Sequence, residues 1–394
     1  MRILILGMDG YLGWPTAMYF AKRGHSVYGV DNYFRRNASR DLDVEALIPN
    51  PNLHQRVKHW NTSADSNTVI GLEIGDVTDY DFLRGVFEYC QPEAVIHYAE
   101  QPSGPWSMID RKRAEQTLRN NLVSTLNVAY VVKDTNPNCH IIKLGTMGEF
   151  GTPNVDIPEG WFELDYKGRK DTLLFPRAAG SLYHTTKVMD TDMLWFYVRT
   201  WGLRVTDLMQ GPVYGLVTDE MREDGDKKEI DIELLTNFHY DEVFGTVLNR
   251  FLVQALIDHP LTIYGEGGQT RGYLNIKDTM QCVYLAAMNP PQSGKLEIYN
   301  QITEIFSVNE LAEKVKEAYE TISKGNKKVK ISHIPNPRVE KEKHYYNPTH
   351  TKLLDLGLKP NLLTTEVLVE ILRLINAFIY RVNKDAIFRG YKWK

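Results

Sequence analysis

Tyr183 and Lys187 stand four residues apart in the string Tyr-His-Thr-Thr-Lys, inside a helical pattern. At that spacing both project from one helix face, a turn apart. An ammonium beside a phenol favours the phenolate and lowers its pKa, which makes Tyr183 a base usable near neutral pH. Thr146 ends an apolar run at 140–146, and its hydroxyl can share the proton of a substrate alcohol. A Tyr-x-x-x-Lys pair alone is a weak signal, because a solvated lysine beside a half-buried tyrosine is common on helices. Its weight depends on a second motif.

That motif is Gly7-Met-Asp-Gly-Tyr-Leu-Gly13, directly after an apolar run and opening a helical pattern. Gly7 permits a tight turn, Gly10 lets the backbone approach a pyrophosphate, and Gly13 allows close packing of helix on strand. Amides at the start of the helix then face the phosphates, which brings Asp9, Tyr11 and Leu12 into the candidate set. Eighteen residues past Gly13, Asp31 ends a second apolar run. A carboxylate there suits a ribose 2′-hydroxyl and repels a 2′-phosphate, so the expected dinucleotide is NAD. Arg35 and Arg36 leave three readings open: a partner for a 2′-phosphate, for the NAD phosphates, or for the protein surface. Asp76, with Val77 beside it at the end of a third run, suits the adenine amino group. Lys187 can also bond the nicotinamide ribose, and Asn32, Tyr98 and Val213 complete the expected cofactor contacts. A glycine turn without a ligand is the plain alternative, but strand, helix, acidic residue and spacing all agree.

These residues need a scaffold that brings them to one edge. Apolar runs predict strands over 2–7, 26–31, 71–77, 93–99, 140–146 and 204–211, and helical patterns fall near 12–24, 79–90, 113–135 and 182–202. Near-continuous apolar strands alternating with helices predict an α/β doubly wound parallel sheet, with its chemistry at the carboxyl edge. The charged stretch 219–242 reads as a surface loop or flap. A helix near 245–259, a turn-rich stretch at 264–273, a capping box at Ser307-Val-Asn-Glu310, a strand at 329–335 and a helix near 364–382 follow. Residues 1–211 with about 273–300 are expected to form the dinucleotide domain. Residues 212–272 and 301–394 are expected to form a smaller α/β substrate-binding domain that closes over the sheet edge.

The 394 residues are 43% hydrophobic and 24% charged, an ordinary globular balance, and carry a net charge of −4. That charge gives no overall pull toward nucleic acid or an anionic membrane, so an anionic ligand must be held by local cations and amides. The three cysteines form no metal-ligand cluster, and no metal is expected. No apolar run approaches a membrane span, and Met1 directly precedes the first strand, so a cytoplasmic location is expected.

The glycine turn, Thr146 and the Tyr-x-x-x-Lys pair together resemble the extended short-chain dehydrogenase/reductase family of nucleotide-sugar epimerases and dehydratases, whose sheet is of the Rossmann type. Asn121-Leu-Val-Ser-Thr125 is similar to the family's N-V-x-G-T segment, and Gly211-Pro-Val-Tyr-Gly215 to its N-V-Y-G-P segment. The resemblance implies that Asn121 supports the active-site backbone and that the second segment borders cofactor and sugar. It also implies that arginines hold a sugar pyrophosphate. The candidates are Arg271, two residues after Gln269, and Arg338, two before Glu340. Guanidinium forks match phosphate oxygens, although a surface salt bridge is the alternative for either one. By the same resemblance Asn249 and Arg250 open the helix that contacts the pyrophosphate. Thr262 and Tyr264 border base and ribose, Glu340 and His344 neighbour the ribose, and Gln101, Thr146, Met147 and Gln210 surround the sugar. A homodimer through helices near 113–135 and 182–202 is implied as well.

Longer strings at 8–14, 31–36, 143–153, 243–251, 264–273 and 336–340 resemble the UDP-sulfoquinovose synthase family, and this resemblance covers nearly the whole chain. It implies conversion of UDP-glucose and sulfite to UDP-sulfoquinovose through 4-keto and 4-keto-5-ene intermediates, with NAD reduced and regenerated. The 4,6-dehydratases carry Thr-Asp-Glu where this chain has Thr146-Met147-Gly148. Acid and base for the loss of water must then come from elsewhere, and His184 and Glu149 are the candidates, with a structural histidine the alternative for His184. Pro102 stands where that family carries an arginine after Gln101, so the sugar's surroundings differ there. Two other functions compete. A UDP-hexose 4-epimerase needs only Tyr183, Lys187, Thr146 and a rotating 4-keto sugar. An NAD-sensing scaffold is opposed by the intact Tyr-Lys pair and Thr146.

Overall fold

Alternate residues of the first strand enter different apolar clusters: Ile3 and Ile5 join one, Leu4 and Leu6 the other, and none is more than 1% exposed. Both faces of the strand are therefore covered, as a parallel sheet between helical layers requires. The computed structural model describes residues 1–63, 69–222, 229–325, 328–336 and 344–391. Its main sheet has seven strands: β1 (Arg2–Leu6), β2 (Ser26–Asp31), β3 (Ile70–Ile74), β4 (Ala94–His97), β5 (His140–Thr146), β6 (Arg204–Gln210) and β7 (Lys295–Gln301). They lie in the order β3-β2-β1-β4-β5-β6-β7, all parallel. The chain leaves β1 toward β2 on one side and later returns to β4 on the other. The strand order reverses there, and the carboxyl ends open a crevice.

Local chemistry explains the elements that border this crevice. Helix Arg111–Thr135 begins where the Asp110 carboxylate accepts the Arg113 amide at 2.8 Å. Helix Leu182–Trp201 starts at Ser181 and stops at Gly202, whose φ of 71° suits glycine at a helix end. Leu83, Val86 and Phe87 bury one face of helix Tyr80–Cys90 on the sheet. Each such side chain contributes about 1.5–3 kcal/mol.

All six expected strands are in the sheet. β3 ends at Ile74 rather than 77 because Asp76 folds back, its Oδ1 accepting the Thr78 amide at 2.8 Å and hydroxyl at 2.7 Å. The Ser307 capping box is present in full and starts helix Val308–Ile322. The turn-rich stretch 264–273 differs from expectation: Thr270–Asn275 is a strand, antiparallel to Glu304–Ser307 and parallel to Val213–Tyr214. A hairpin of Trp161–Tyr166 and Arg169–Leu174 had no signal in the sequence, since its second strand is half charged and almost wholly exposed.

The expected surface loop at 219–242 needs a larger correction. Residues 223–228 lie outside the described residues. From Leu234 to Val243 the chain is buried, with Leu235, Phe238 and Tyr240 inside the core. The charges that suggested a flap sit before residue 230, while the apolar residues sit after it, and the two halves behave oppositely. The buried half is bonded to the glycine turn: Trp14 Nε1 donates to Leu234 O at 2.9 Å, the Thr236 hydroxyl to Tyr11 O at 2.6 Å, and Asn237 Nδ2 to Asp9 O at 2.7 Å. Among the described residues no helix is long and apolar enough to cross a membrane.

Candidate active site

The carboxyl ends of the central strands open on a cavity of about 470 Å³, lined by Gly7, Gly10 and Gly13 at one end and by Thr146, Tyr183 and His184 at the other. Gly7 has φ 89°, and a Cβ there would lie 2.8 Å from the Ala99 nitrogen. A Cβ on Gly13 would lie 2.1 Å from Gly7 O and 2.7 Å from Met8 Cα, both rigid backbone. Helix Gly13–Lys22 has no side-chain cap at its start, so its first amides remain for a ligand. The missing Cβ atoms and uncapped amides form a cradle that fits a dinucleotide pyrophosphate. Gly13→Ala should lower stability by about 1–3 kcal/mol through overpacking. It should also weaken NAD binding. Thermal unfolding and NAD fluorescence titration measure the two effects.

The expected cofactor residues divide into two groups. Tyr11, Leu12, Asp31, Asn32, Arg35, Val77, Tyr98 and Val213 line the cavity with the three glycines. Asp31 Oδ2 accepts the Asp9 amide at 2.8 Å and Oδ1 the Tyr33 amide at 2.7 Å, while burial and the Asp9 charge raise its pKa to about 6. Arg35 lies 3.7 Å from the Phe244 ring centroid, and its buried Nε has no hydrogen-bond partner among the described residues. Asp9, Arg36, Asp76, Asn121 and Lys187 are outside the lining. The Asp9 carboxylate is taken by Arg36 at 2.6 Å and Arg56 at 2.5 Å, so Arg36 braces the turn from behind. Asp76 sits behind Asn32, whose Nδ2 donates to it at 3.1 Å. Asn121 is fully buried. Its Oδ1 accepts the Gln101 amide at 2.8 Å and its Nδ2 donates to the Thr186 hydroxyl at 2.9 Å, tying the loop after β4 to the Tyr183 helix.

Around the catalytic pair the structure departs from the expected electrostatics. Lys187 gives its ammonium to Glu100, Nζ to Oε1 at 2.5 Å, with Asp190 at 3.6 Å. Tyr183 does not have a lowered pKa: burial raises it, Glu100 and Glu149 add to the rise, and Lys143 opposes them. His184 lines the cavity beside Tyr183, ring centroids 4.9 Å apart, with Nδ1 2.9 Å from the Ser181 hydroxyl. A Cβ on Gly148 would lie 2.3 Å from His184 Nε2, so the glycine after Met147 makes room for the imidazole. Glu149 lies beneath the site rather than in it. Its Oε1 accepts the Thr146 amide at 3.3 Å and stands 3.3 Å from Lys143 Nζ, and burial raises its pKa. It is absent from the cavity lining.

Of the expected sugar residues, Thr146, Gln210 and Asn249 line the cavity, and Met147 is buried next to Thr146. Gln101 points away: its Nε2 donates to Ser103 O and to the Thr117 hydroxyl, both at 3.0 Å. Pro102 faces the cavity instead. A second group lies further out. The Arg250 guanidinium is 5.8 Å from the Tyr264 and Phe388 ring centroids, Gln269 Nε2 donates to Tyr264 O at 3.2 Å, and Thr262 is bonded to Gln254. Arg271 Nη1 is 3.0 Å from His344 Nε2. The Tyr264 hydroxyl donates to Glu242 at 3.4 Å, which connects this group to the cavity. Arg338 and Glu340 lie outside the described residues. Sequence reasoning missed Glu100 and the lining residues Asn237, His239, Glu242 and Phe244. Glu100 had a usable signal, an acidic residue three positions past the end of a central strand. Asn237, His239 and Glu242 were hidden in the segment 219–242 read as a flap, and Phe244 lies in the string 243–251, where it was not singled out. Among the described residues no group of three or more His, Cys, Asp or Glu could hold a metal ion.

This arrangement of glycine cradle, Thr146 and Tyr-x-x-x-Lys helix belongs to a known class. The NAD dependent epimerase/dehydratase family matches residues 3–301, and the chain belongs to that family. Within it the chain belongs with the UDP-sulfoquinovose synthases. The chloroplastic UDP-sulfoquinovose synthase of Spinacia oleracea is 45% identical over 395 residues, covering 100% of this chain and 79% of that protein. The UDP-sulfoquinovose synthase of Sulfolobus acidocaldarius is 46% identical over 365 residues, 91% of this chain and 88% of that protein. Among solved structures, a UDP-glucose 4-epimerase of Thermotoga maritima with UDP-glucose is similar at TM-score 0.66 and 19% identity, covering 96% of this chain and 99% of that one. A Bacillus cereus UDP-glucuronic acid 4-epimerase variant with NAD reaches TM-score 0.68 at 17% identity, with 96% and 99% covered. At such identities the solved structures show the fold alone.

Proposed function

We propose that this chain converts UDP-glucose and sulfite to UDP-sulfoquinovose. The observation that carries this reading is the likeness to two UDP-sulfoquinovose synthases, at 45% and 46% identity over nearly the whole chain. Bound NAD supplies a hydride acceptor and donor for carbon 4 of the hexose. Tyr183 takes the 4-hydroxyl proton, and Thr146 shares it through its own hydroxyl. The 4-ketone acidifies the proton on carbon 5. Its removal, with loss of the carbon 6 hydroxyl as water, gives a conjugated enone. Sulfite adds at carbon 6, carbon 5 is reprotonated, and Tyr183 returns its proton as carbon 4 is reduced. The sum is UDP-glucose plus bisulfite giving UDP-sulfoquinovose plus water.

The cavity supports His184 rather than Glu149 as the side chain that serves the elimination, because His184 lines it and Glu149 does not. His184→Asn should abolish product while NAD stays bound and carbon 4 is still oxidised. Anion-exchange chromatography with bound-cofactor absorbance measures both, and unchanged turnover would remove His184 from the mechanism. Incubation with UDP-glucose also separates the main competitor, since UDP-galactose marks a 4-epimerase and a more acidic, sulfite-dependent product marks the synthase.

In this reading residues 1–211 with about 273–300 hold NAD, and 212–272 with 301–394 hold the UDP-sugar. The strand β7, which completes the main sheet, supports that division. Arg250, Arg271 and Arg338 serve the pyrophosphate. A homodimer is proposed through helices Arg111–Thr135 and Leu182–Trp201, which pack together and expose Tyr130, Met189 and Phe196. A cytoplasmic location is proposed on the three free cysteines, which suit a reducing compartment.

A further inference from the structure

Glu100 stands three residues past β4 and lines the cavity, yet the steps above do not use it. Its side chain is 6% exposed, and its Oε1 accepts from Lys187 Nζ at 2.5 Å. Titratable groups reach it from β4 and from the Tyr183 helix, while helix Arg111–Thr135 presents Asn120, Asn121, Ser124 and Thr125 there. His97 on β4 has Nε2 3.7 Å from Glu100 Oε1, and the Tyr183 helix contributes Lys187, Asp190 and Tyr183 itself. Further below, Lys143 on β5 is paired with Asp207 on β6 at 3.0 Å and Glu149 at 3.3 Å.

Charges within this group follow from the packing. Burial drops the pKa of His97 to about 4, so its imidazole is neutral. Burial and the Glu100 charge raise the pKa of Asp190. Burial works against ionisation of Glu100 too, but the Lys187 ammonium beside it, with Lys143 further along, holds the carboxyl below its ordinary value. The Lys187 ammonium is thus held by Glu100 at 2.5 Å, with Asp190 further off at 3.6 Å. The cation that helix spacing assigns to the Tyr183 phenol is offset by an anion from the neighbouring strand end.

We propose that Glu100 is a positioning residue for the catalytic base: it holds Lys187 in place, and its negative charge sets the pH at which Tyr183 ionises. This rests on the proposed oxidation at carbon 4, and its test is separable from that reading. The test compares wild type, Glu100→Gln and Glu100→Asp with NAD bound, each against its own Tyr183→Phe counterpart. The difference in tyrosinate absorbance isolates the one phenol. Glu100→Gln keeps the shape and removes the charge, so the tyrosinate titration should move to lower pH by about one pH unit or more. The acid limb of the rate at which UDP-glucose reduces bound NAD should move with it. Glu100→Asp, whose carboxylate is one bond further from Lys187, should fall between the other two. Should Glu100→Gln fail to fold, the displacement of Glu100→Asp decides the matter. Titrations of both variants that coincide with wild type overturn the role of Glu100. If wild type reduces no NAD with UDP-glucose, the proposed function fails, while the tyrosinate titration still decides Glu100.

Discussion

Tyr183→Phe lowers the first hydride transfer from UDP-glucose by about 10²–10⁴-fold, the range for removing a positioned general base. Tyr183, in the first turn of helix Leu182–Trp201, lines the cavity together with Thr146 and His184. Phenylalanine keeps the ring that sits 4.9 Å from His184, and the Tyr183 amide still donates to the Ser107 hydroxyl at 3.2 Å. Fold and NAD affinity should therefore hold while the proton acceptor is lost. Stopped-flow absorbance of bound cofactor after mixing with UDP-glucose reads the step directly. A rate within a few-fold of wild type would move the base elsewhere.

Lys143→Met should destabilise the folded chain by about 3–5 kcal/mol, because it strips the cation from a buried ionic group. The Lys143 ammonium is fully buried and donates to Asp207 at 3.0 Å, the Thr191 hydroxyl at 2.7 Å, Lys187 O at 3.1 Å and Glu149 at 3.3 Å. Without it, two carboxylates remain in a dry interior with too few partners. Glu149 also holds the Thr146 amide, so the damage should reach the catalytic threonine. Denaturant unfolding gives the loss. The double variant Lys143→Met with Asp207→Leu should recover part of it, since the orphaned charge goes with the cation. A loss for Lys143→Met below about 1 kcal/mol, the range of an exposed pair, would show that the cluster does not support the floor of the site.

Much of the scaffold was legible because its signals are local. Continuous apolar runs gave β1, β2, β4, β5 and β6. Asp110, Ser181 and Ser307 start their helices through their own side chains. The glycine turn was legible for the same reason, since its requirement is steric and belongs to Gly7 and Gly13 themselves. Charge partnerships were not. Four-residue spacing puts Tyr183 and Lys187 on one face, but it cannot say that Glu100, 87 positions away, takes the ammonium. Nor can it say that Arg36 turns to Asp9 or that Gln101 folds onto Thr117. Those choices depend on which strand ends are adjacent across the sheet. The roof of the cavity failed for a different reason: one charged stretch before residue 230 coloured the reading of the apolar stretch behind it.

The most direct test of the central claim is mass spectrometry of the nucleotide sugar formed from UDP-glucose by the purified chain with NAD, run with isotope-labelled sulfite and without it. A sulfonated UDP-hexose carrying the label, formed only when sulfite is present, is the predicted result. UDP-galactose as the sole product, with no label taken up, would contradict it.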